Sequence, residues 1–294
     1  MFEPSMKDPA ILRVGAPVWG LPAWAGTITP VTAKRAESLR WYGTWCNAVE
    51  GNTTFYAVPS ESSLKQWADM APPDFRFCFK LPRTITHDRR LRRADQELAE
   101  FLNRMSPLRQ NFGPVWIQLP ASFGPDDLDA LNRFLRQLPN EFDWAVELRH
   151  LAFEAEGSAE QAANEILFAA GVDRIVFDSR CVFAGPCETD EEKDAWAKKP
   201  RLRVRPVALG KRPTVRFIGQ TSGEATREYW QPWVPKVAEW LLEGREPYVF
   251  IHTPDNADTP GLARQFHQEV ATLVESLAPL PSPVKPTKQA PLFT

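Results

Sequence analysis

Short apolar runs, seven of eight with a hydrogen-bonding or charged residue at or near the end, recur along this chain and are separated by stretches of helical periodicity. The runs are Leu12–Ala16, Ala48–Glu50, Phe75–Lys80, Pro114–Gln118, Trp144–Glu147, Arg174–Asp178, Thr214–Gly219 and Pro247–His252. Runs of this length bounded by turn residues read as buried strands. Between them, apolar residues fall at helical spacing. The clearest case follows Pro125/Asp126, where Leu128, Leu131, Phe134, Leu135 and Leu138 mark one face. Further helices are expected over Thr32–Tyr42, from Ser60 or Ser62 to Met70, and over Asp95–Met105, Ala159–Ala170, Tyr229–Leu242 and Gly261–Leu277.

Eight strands alternating with helices predict an α/β protein with parallel strands joined by crossovers, closing into a TIM-type (β/α)8 barrel as a single domain. The expected domain covers residues 12–277, after a loose lead-in at 1–11. Two segments fall outside the alternation. Residues 179–213 form a long loop after strand six, acidic at first (Glu188, Asp190, Glu191, Glu192, Asp194) and basic afterwards. A loop this long is uncommon without a function, and a lid over the strand ends is one reading. Residues 278–294 are rich in Pro and read as a disordered tail.

The polar residues that close the runs carry the functional argument. They are Glu50 with Asn52, Lys80, Gln118, Glu147 with Arg149 and His150, Asp178, Arg216 and His252. In a parallel barrel the carboxyl ends of the strands converge on one mouth. Glu147 is the first choice for a general base or metal-ligating carboxylate, with an ion pair to Arg149 or Lys80 as the structural alternative. His150 or Lys80 would be the acid, although His150 could instead turn back to hydrogen-bond a loop. Asp178 would be a second carboxylate, paired with Glu147 or Glu50. Arg149 and Arg216 would anchor an anionic group, Arg216 lying after strand seven where such barrels often bind phosphate. Tyr56 and His87 complete the set of candidate binding residues.

Composition narrows the function classes. The 294 residues carry a net charge of −2, so no global field draws the chain to nucleic acid or membrane. Arg89, Arg90, Arg92 and Arg93 still form a basic cluster, with a second between Lys198 and Arg212. The N-terminal stretch has no apolar core of a signal peptide, and no run of 18 apolar residues occurs; the expected location is the cytoplasm. Cys46, Cys78, Cys181 and Cys187 show no zinc spacing. No cofactor is certain. A divalent metal gathered by His87, His150, His252, Glu50, Glu147 and Asp178 is an open alternative without a metal motif behind it.

Over residues 12–275 the chain resembles the YecE-like family, a domain of unknown function (number 72 of that series). The resemblance rests on Asn47–Tyr56 with Pro59, on Phe77–Pro82 with Ile85-Thr86-His87, and on Gln118-Leu119-Pro120 with Phe123. Val146–His150 and Val215-Arg216-Phe217 add to it. It implies a TIM-type barrel and brings no established activity. The chain departs from the pattern at Gly15–Val18, at Ile218 where the family has His, and at His252-Thr253, where paired asparagines are usual. The resulting expectation is an enzyme doing acid/base or hydrolytic chemistry on a small anionic substrate. The rivals are a metal-dependent nucleic-acid phosphodiesterase and a non-catalytic ligand-binding or sensor protein. Oligomeric state is not legible.

Overall fold

The computed structural model describes residues 8–284. Its strands are β1 (Arg13–Gly15), β2 (Ala48–Gly51), β3 (Arg76–Phe79), β4 (Val115–Gln118), β5 (Trp144–Glu147), β6 (Asp173–Asp178), β7 (Thr214–Ile218) and β8 (Tyr248–His252). The α-helices are α1 (Ser38–Tyr42), α2 (Thr53–Tyr56), α3 (Glu61–Met70), α4 (Asp95–Arg104), α5 (Leu128–Leu135), α6 (Ser158–Ala169), α7 (Arg180–Ala184), α8 (Asp190–Lys198), α9 (Gly223–Trp230), α10 (Trp233–Leu242) and α11 (Thr259–Ala271). All eight expected strands are present, each within a residue or two of the apolar run that marked it.

The strands form a six-stranded parallel sheet in the order β1-β8-β7-β6-β5-β4 and a two-stranded parallel sheet, β2-β3. Between the two sheets, main-chain bonds recur at both edges. Leu81 N–H donates to Trp116 O at 2.9 Å and Gly113 N–H to Phe77 O at 2.9 Å. On the other side, Glu50 N–H donates to Ala16 O at 3.1 Å. There the Tyr42 hydroxyl accepts from Ala16 N–H and donates to Ala48 O, at 2.7 and 2.8 Å. Gly15 is required at this edge, because a Cβ would stand 2.1 Å from Ala48 O.

Six strands contribute to one buried cluster: Ala48, Cys78, Trp116, Ala145, Ile175, Tyr248 and Phe250. Side chains of β2, β3, β4, β5, β6 and β8 can meet only if the sheet curls so that one face looks inward. Two residues further along their strands stand Glu50, Lys80, Gln118, Glu147, Phe177 and His252. A strand's period of two places these on the same inward face, one layer nearer the carboxyl ends. The helices pack on the outward face over a second, larger core that includes Val49, Phe79, Ile117, Val146, Val176 and Phe217.

Three expectations are corrected. The helix expected over Tyr229–Leu242 is two helices, α9 and α10, parted at Gln231-Pro232 because proline lacks the N–H to continue the first. The excursion over 179–213 is not a bare loop, since it contains α7 and α8. Thr189 and Glu192 form a capping box at the start of α8: Thr189 Oγ1 accepts from Glu192 N–H, and the Glu192 carboxylate accepts from Glu188 and Thr189 N–H. Asp190, Glu191 and Glu192 thus lie in a first turn and Lys198 in a last turn, which complements the helix dipole. Finally, the start of the expected disordered tail is docked. Ala278 N–H bonds Ala10 O, and Arg264 donates to Pro281 O; residues 285–294 lie outside the described part.

Candidate functional site

The inward polar layer is one ionic network. Arg216 rises from β7 with its guanidinium between two carboxylates. Its Nε and Nη2 donate to Glu50 at 3.0 and 2.8 Å, and its Nη1 to Glu147 at 2.6 Å. Glu50 also holds the Lys80 ammonium at 3.0 Å and His252 Nε2 at 2.7 Å. Lys80 in turn donates to Gln118 Oε1 at 2.8 Å, and Arg149 Nε to the free oxygen of Glu147 at 2.6 Å. Both carboxylates are fully buried and Arg216 is 3% exposed. The Trp116 ring lies 5.6 Å from the Lys80 ammonium and 5.5 Å from the Arg216 guanidinium, a cation–π floor that fixes both heads.

The electrostatics follow from burial opposed by partners. Burial alone would raise the Glu147 carboxyl, but Arg149, Arg216 and Lys80 hold it down at about 2. Burial would raise Glu50 as well, yet Arg216, Lys80 and His252 keep it well below the carboxylate range. For Lys80, burial and the neighbouring Arg216 outweigh the two acids and lower it to about 8. Burial likewise lowers His252 to about 4 against the pull of Glu50, so at neutral pH its Nε2–H donates to that carboxylate.

A residue not singled out from the sequence joins this layer. Lys199, just beyond the last turn of α8, is partly buried within electrostatic range of Arg216, Glu50, Arg149 and Glu147. Burial and those arginines lower its amine to about 8. Among the described residues no carboxylate pairs with it. The excursion brings it there by packing its own apolar side chains, Val182, Ala195 and Leu202, onto Phe177 and Ile218 at the inward ends of β6 and β7. Arg201 stacks 4.2 Å over Phe183 and 5.0 Å over Trp196 beside it. The capping box was the one sequence signal for a helix that could deliver Lys199; which way the lysine pointed had none.

Not every expected residue arrives here. Asp178 faces outward, one residue out of step with Phe177. Its carboxylate accepts from the Trp233 indole at 2.8 Å and from Arg180, so it is no partner for Glu147 or Glu50. His150 turns back: its Nδ1 accepts from Ala152 N–H at 3.1 Å and its ring packs against Phe153. Asn52 ties the β2 end to the preceding loop through Pro17 O. His87 is half-buried beside Phe55 and bonded to Thr86; burial and Arg149 lower it to about 4. Tyr56 is 81% exposed on the rim.

The metal alternative meets an unsuitable donor set. Among the described residues no three His, Cys, Asp or Glu side chains are gathered to hold an ion. The oxygens of Glu50 and Glu147 are taken by cations, and His150 is committed elsewhere. Of the basic cluster, Arg90 and Arg92 share Asp127, and Arg89 pairs with Glu97. Cavities of about 430 Å³ between α6 and residues 205–209 and about 560 Å³ at the opposite strand ends lie away from this layer. The first has charged groups of its own, Glu156, Glu160, Glu165 and Arg205, with Arg205 paired to Glu156 and Glu160, whereas the strand-end layer draws its charges together from several strands.

The model of a protein family described as "protein of unknown function DUF72" matches residues 13–289. The chain belongs to the DUF72 family. It is 40% identical to the UPF0759 protein YecE of Escherichia coli K12 over 272 residues, 92% of this chain and 97% of that one. Among solved structures, a DUF72 family protein from Thermotoga maritima superposes with a TM-score of 0.67 at 23% identity, covering 90% of this chain and 99% of that one. A second, from Enterococcus faecalis, gives 0.61 at 16%, covering 90% and 98%. At these identities the two DUF72 structures speak for the fold alone. Among the described residues no helix is long and apolar enough to cross a membrane.

Proposed function

We propose that this DUF72 chain is a single-domain, cytoplasmic enzyme whose eight strands close as a (β/α)8 barrel, with a pocket for a small carboxylate- or phosphate-bearing substrate at the strand ends. The hydrogen bonds at both edges between the two sheets support closure. One observation carries the pocket. Lys80, Arg149, Lys199 and Arg216 face only two carboxylates, Glu50 and Glu147, and His252 is neutral. A layer in which cations outnumber anions, partly shielded from water, favours an anionic guest. Arg149, with guanidinium nitrogens left over from Glu147, and Lys199 would grip it. Arg216 would hold the acids in place.

The roles first expected are redistributed. A carboxyl at about 2 is a weak base near neutral pH, so Glu147 serves better as an electrostatic anchor. Lys80, at about 8, suits acid/base work and replaces both Glu147 and His150 in that role. Phosphate titrated calorimetrically at constant ionic strength tests the pocket. Arg149→Met and Lys199→Met should each weaken binding by about tenfold, a loss of ~1.4 kcal/mol. Equal, feeble responses to phosphate and chloride in all three proteins would sink the proposal. A substrate recovered unaltered after tight binding would instead make the pocket a sensor.

A further inference from the structure

Resting on that anion-binding pocket, we infer that its substrate also carries a carbonyl group, and that the Lys80 amine captures it as an imine. The geometry around Lys80 is what an amine nucleophile needs. Its stem leaves the end of β3 over the Trp116 ring, and two fixed partners, Glu50 Oε1 at 3.0 Å and Gln118 Oε1 at 2.8 Å, hold the nitrogen in one place. An ammonium has three hydrogens. One donates to Gln118 Oε1 while Glu50 holds the head as an ion pair, which leaves a further hydrogen, and the lone pair once that proton is gone, to point elsewhere.

Burial beside Arg216 favours the neutral amine. At about 8, roughly a tenth of the molecules carry free amine at pH 7, against well under a thousandth for an ordinary lysine. Glu50 is too weak a base to keep the proton, which goes to solvent. Gln118 then accepts from a remaining N–H, and the Glu50 carboxylate beside it orients the head electrostatically.

The step balances without any redox partner. The neutral Lys80 nitrogen attacks the carbonyl carbon; the C–N bond forms as the C=O π electrons move to oxygen, which takes one of the two protons from that nitrogen to give the carbinolamine. The carbinolamine loses that oxygen as water with a second proton, while nitrogen gives up its own proton or keeps it as the iminium. Lys199, an ammonium of pKa about 8, is suited to protonate the departing oxygen. Arg149 would bind the carboxylate or phosphate of the same molecule. A protonated imine draws electrons from the adjacent carbon, so bond cleavage or proton loss there is the reaction class this pocket would serve.

The test is reductive trapping on the whole protein, using glyoxylate as the probe and sodium cyanoborohydride as the reductant at pH 7, read by peptide mapping. Exposed Lys65 on α3 is the internal reference, held by Glu61 at the surface. Lys80 is only 5% exposed, so a reagent acting by access alone would label it more slowly than Lys65. The inference expects Lys80 to be labelled at least about tenfold faster than Lys65, with excess phosphate suppressing Lys80 alone. Lys80→Arg should lose the fast adduct, but the wild-type map decides even if that variant does not fold. Labelling of Lys80 no faster than Lys65, or an adduct concentrated on Lys199, overturns the inference. Phosphate binding without an adduct overturns the imine and leaves the anion pocket standing; absence of both removes the two together.

Discussion

Replacing Arg216 with methionine tests the ionic layer most directly. The substitution keeps much of the side-chain volume and removes three charge-assisted hydrogen bonds, two to Glu50 and one to Glu147. Both acids are fully buried, so each would be left an under-compensated charge. Removing one partner of a buried pair costs about 3–5 kcal/mol, and here one cation serves two anions. Lys80 and His252 still hold Glu50, and Arg149 still holds Glu147, which keeps the expected loss near 4 kcal/mol rather than twice that. The loss should depend on pH. Without Arg216 both carboxyls rise, so the variant takes up protons as pH falls while the wild type stays ionised. The gap between the two proteins should therefore narrow from pH 7 to pH 4.5. Urea unfolding followed by tryptophan fluorescence at both pH values measures it. Arg216→Met combined with Glu147→Gln should be more stable than Arg216→Met alone, since one stranded charge is gone. A loss below about 1 kcal/mol at pH 7, or one unchanged at pH 4.5, would refute the reasoning.

Asp178→Asn should cost about 1–3 kcal/mol by removing the charge that Arg180 and the Trp233 indole both seek, yet leave phosphate affinity unchanged; a tenfold fall in affinity would put Asp178 back in the pocket. The pH–stability profile of the wild type should bend at both ends. Glu147, held at about 2 against an ordinary 4.5, adds stability above pH 4.5 that is lost as pH falls toward 2, worth about 3 kcal/mol at most. Lys80 acts with the opposite sense. Lowered from 10.5 to about 8, it is deprotonated earlier in the folded state, so stability should climb between pH 8 and 10.5. Lys199, also lowered to about 8, adds to the same rise, so Lys80→Met should remove about half of it, and an unaltered slope in the variant would show that Lys80 takes no part.

Much of this protein was legible along the chain. Strands were readable because a buried parallel strand needs an unbroken apolar run, and all eight runs became strands. The polar residues closing six of them, Glu50, Lys80, Gln118, Glu147, Arg216 and His252, were readable as a group because a charge at the end of such a run has few places to go. Asp178 shows the limit. It closes its run just as Glu147 does, but a strand exposes two faces, and only the contact of Ile175 with Trp116 and Phe250 across the sheet decides that 175 and 177 look inward and 178 outward. His150 follows the same rule, since the chain bends after Glu147 and takes the ring to Ala152. Lys199 lies far in sequence from every group it meets, and is brought to them by Leu202, Ala195 and Val182 packing on Phe177 and Ile218. Local periodicity therefore determined the elements and the chemical character of their ends. Which of those ends share one ionic layer was decided by the curl of the sheet and the docking of the excursion, because facing and proximity are properties of packing between distant segments.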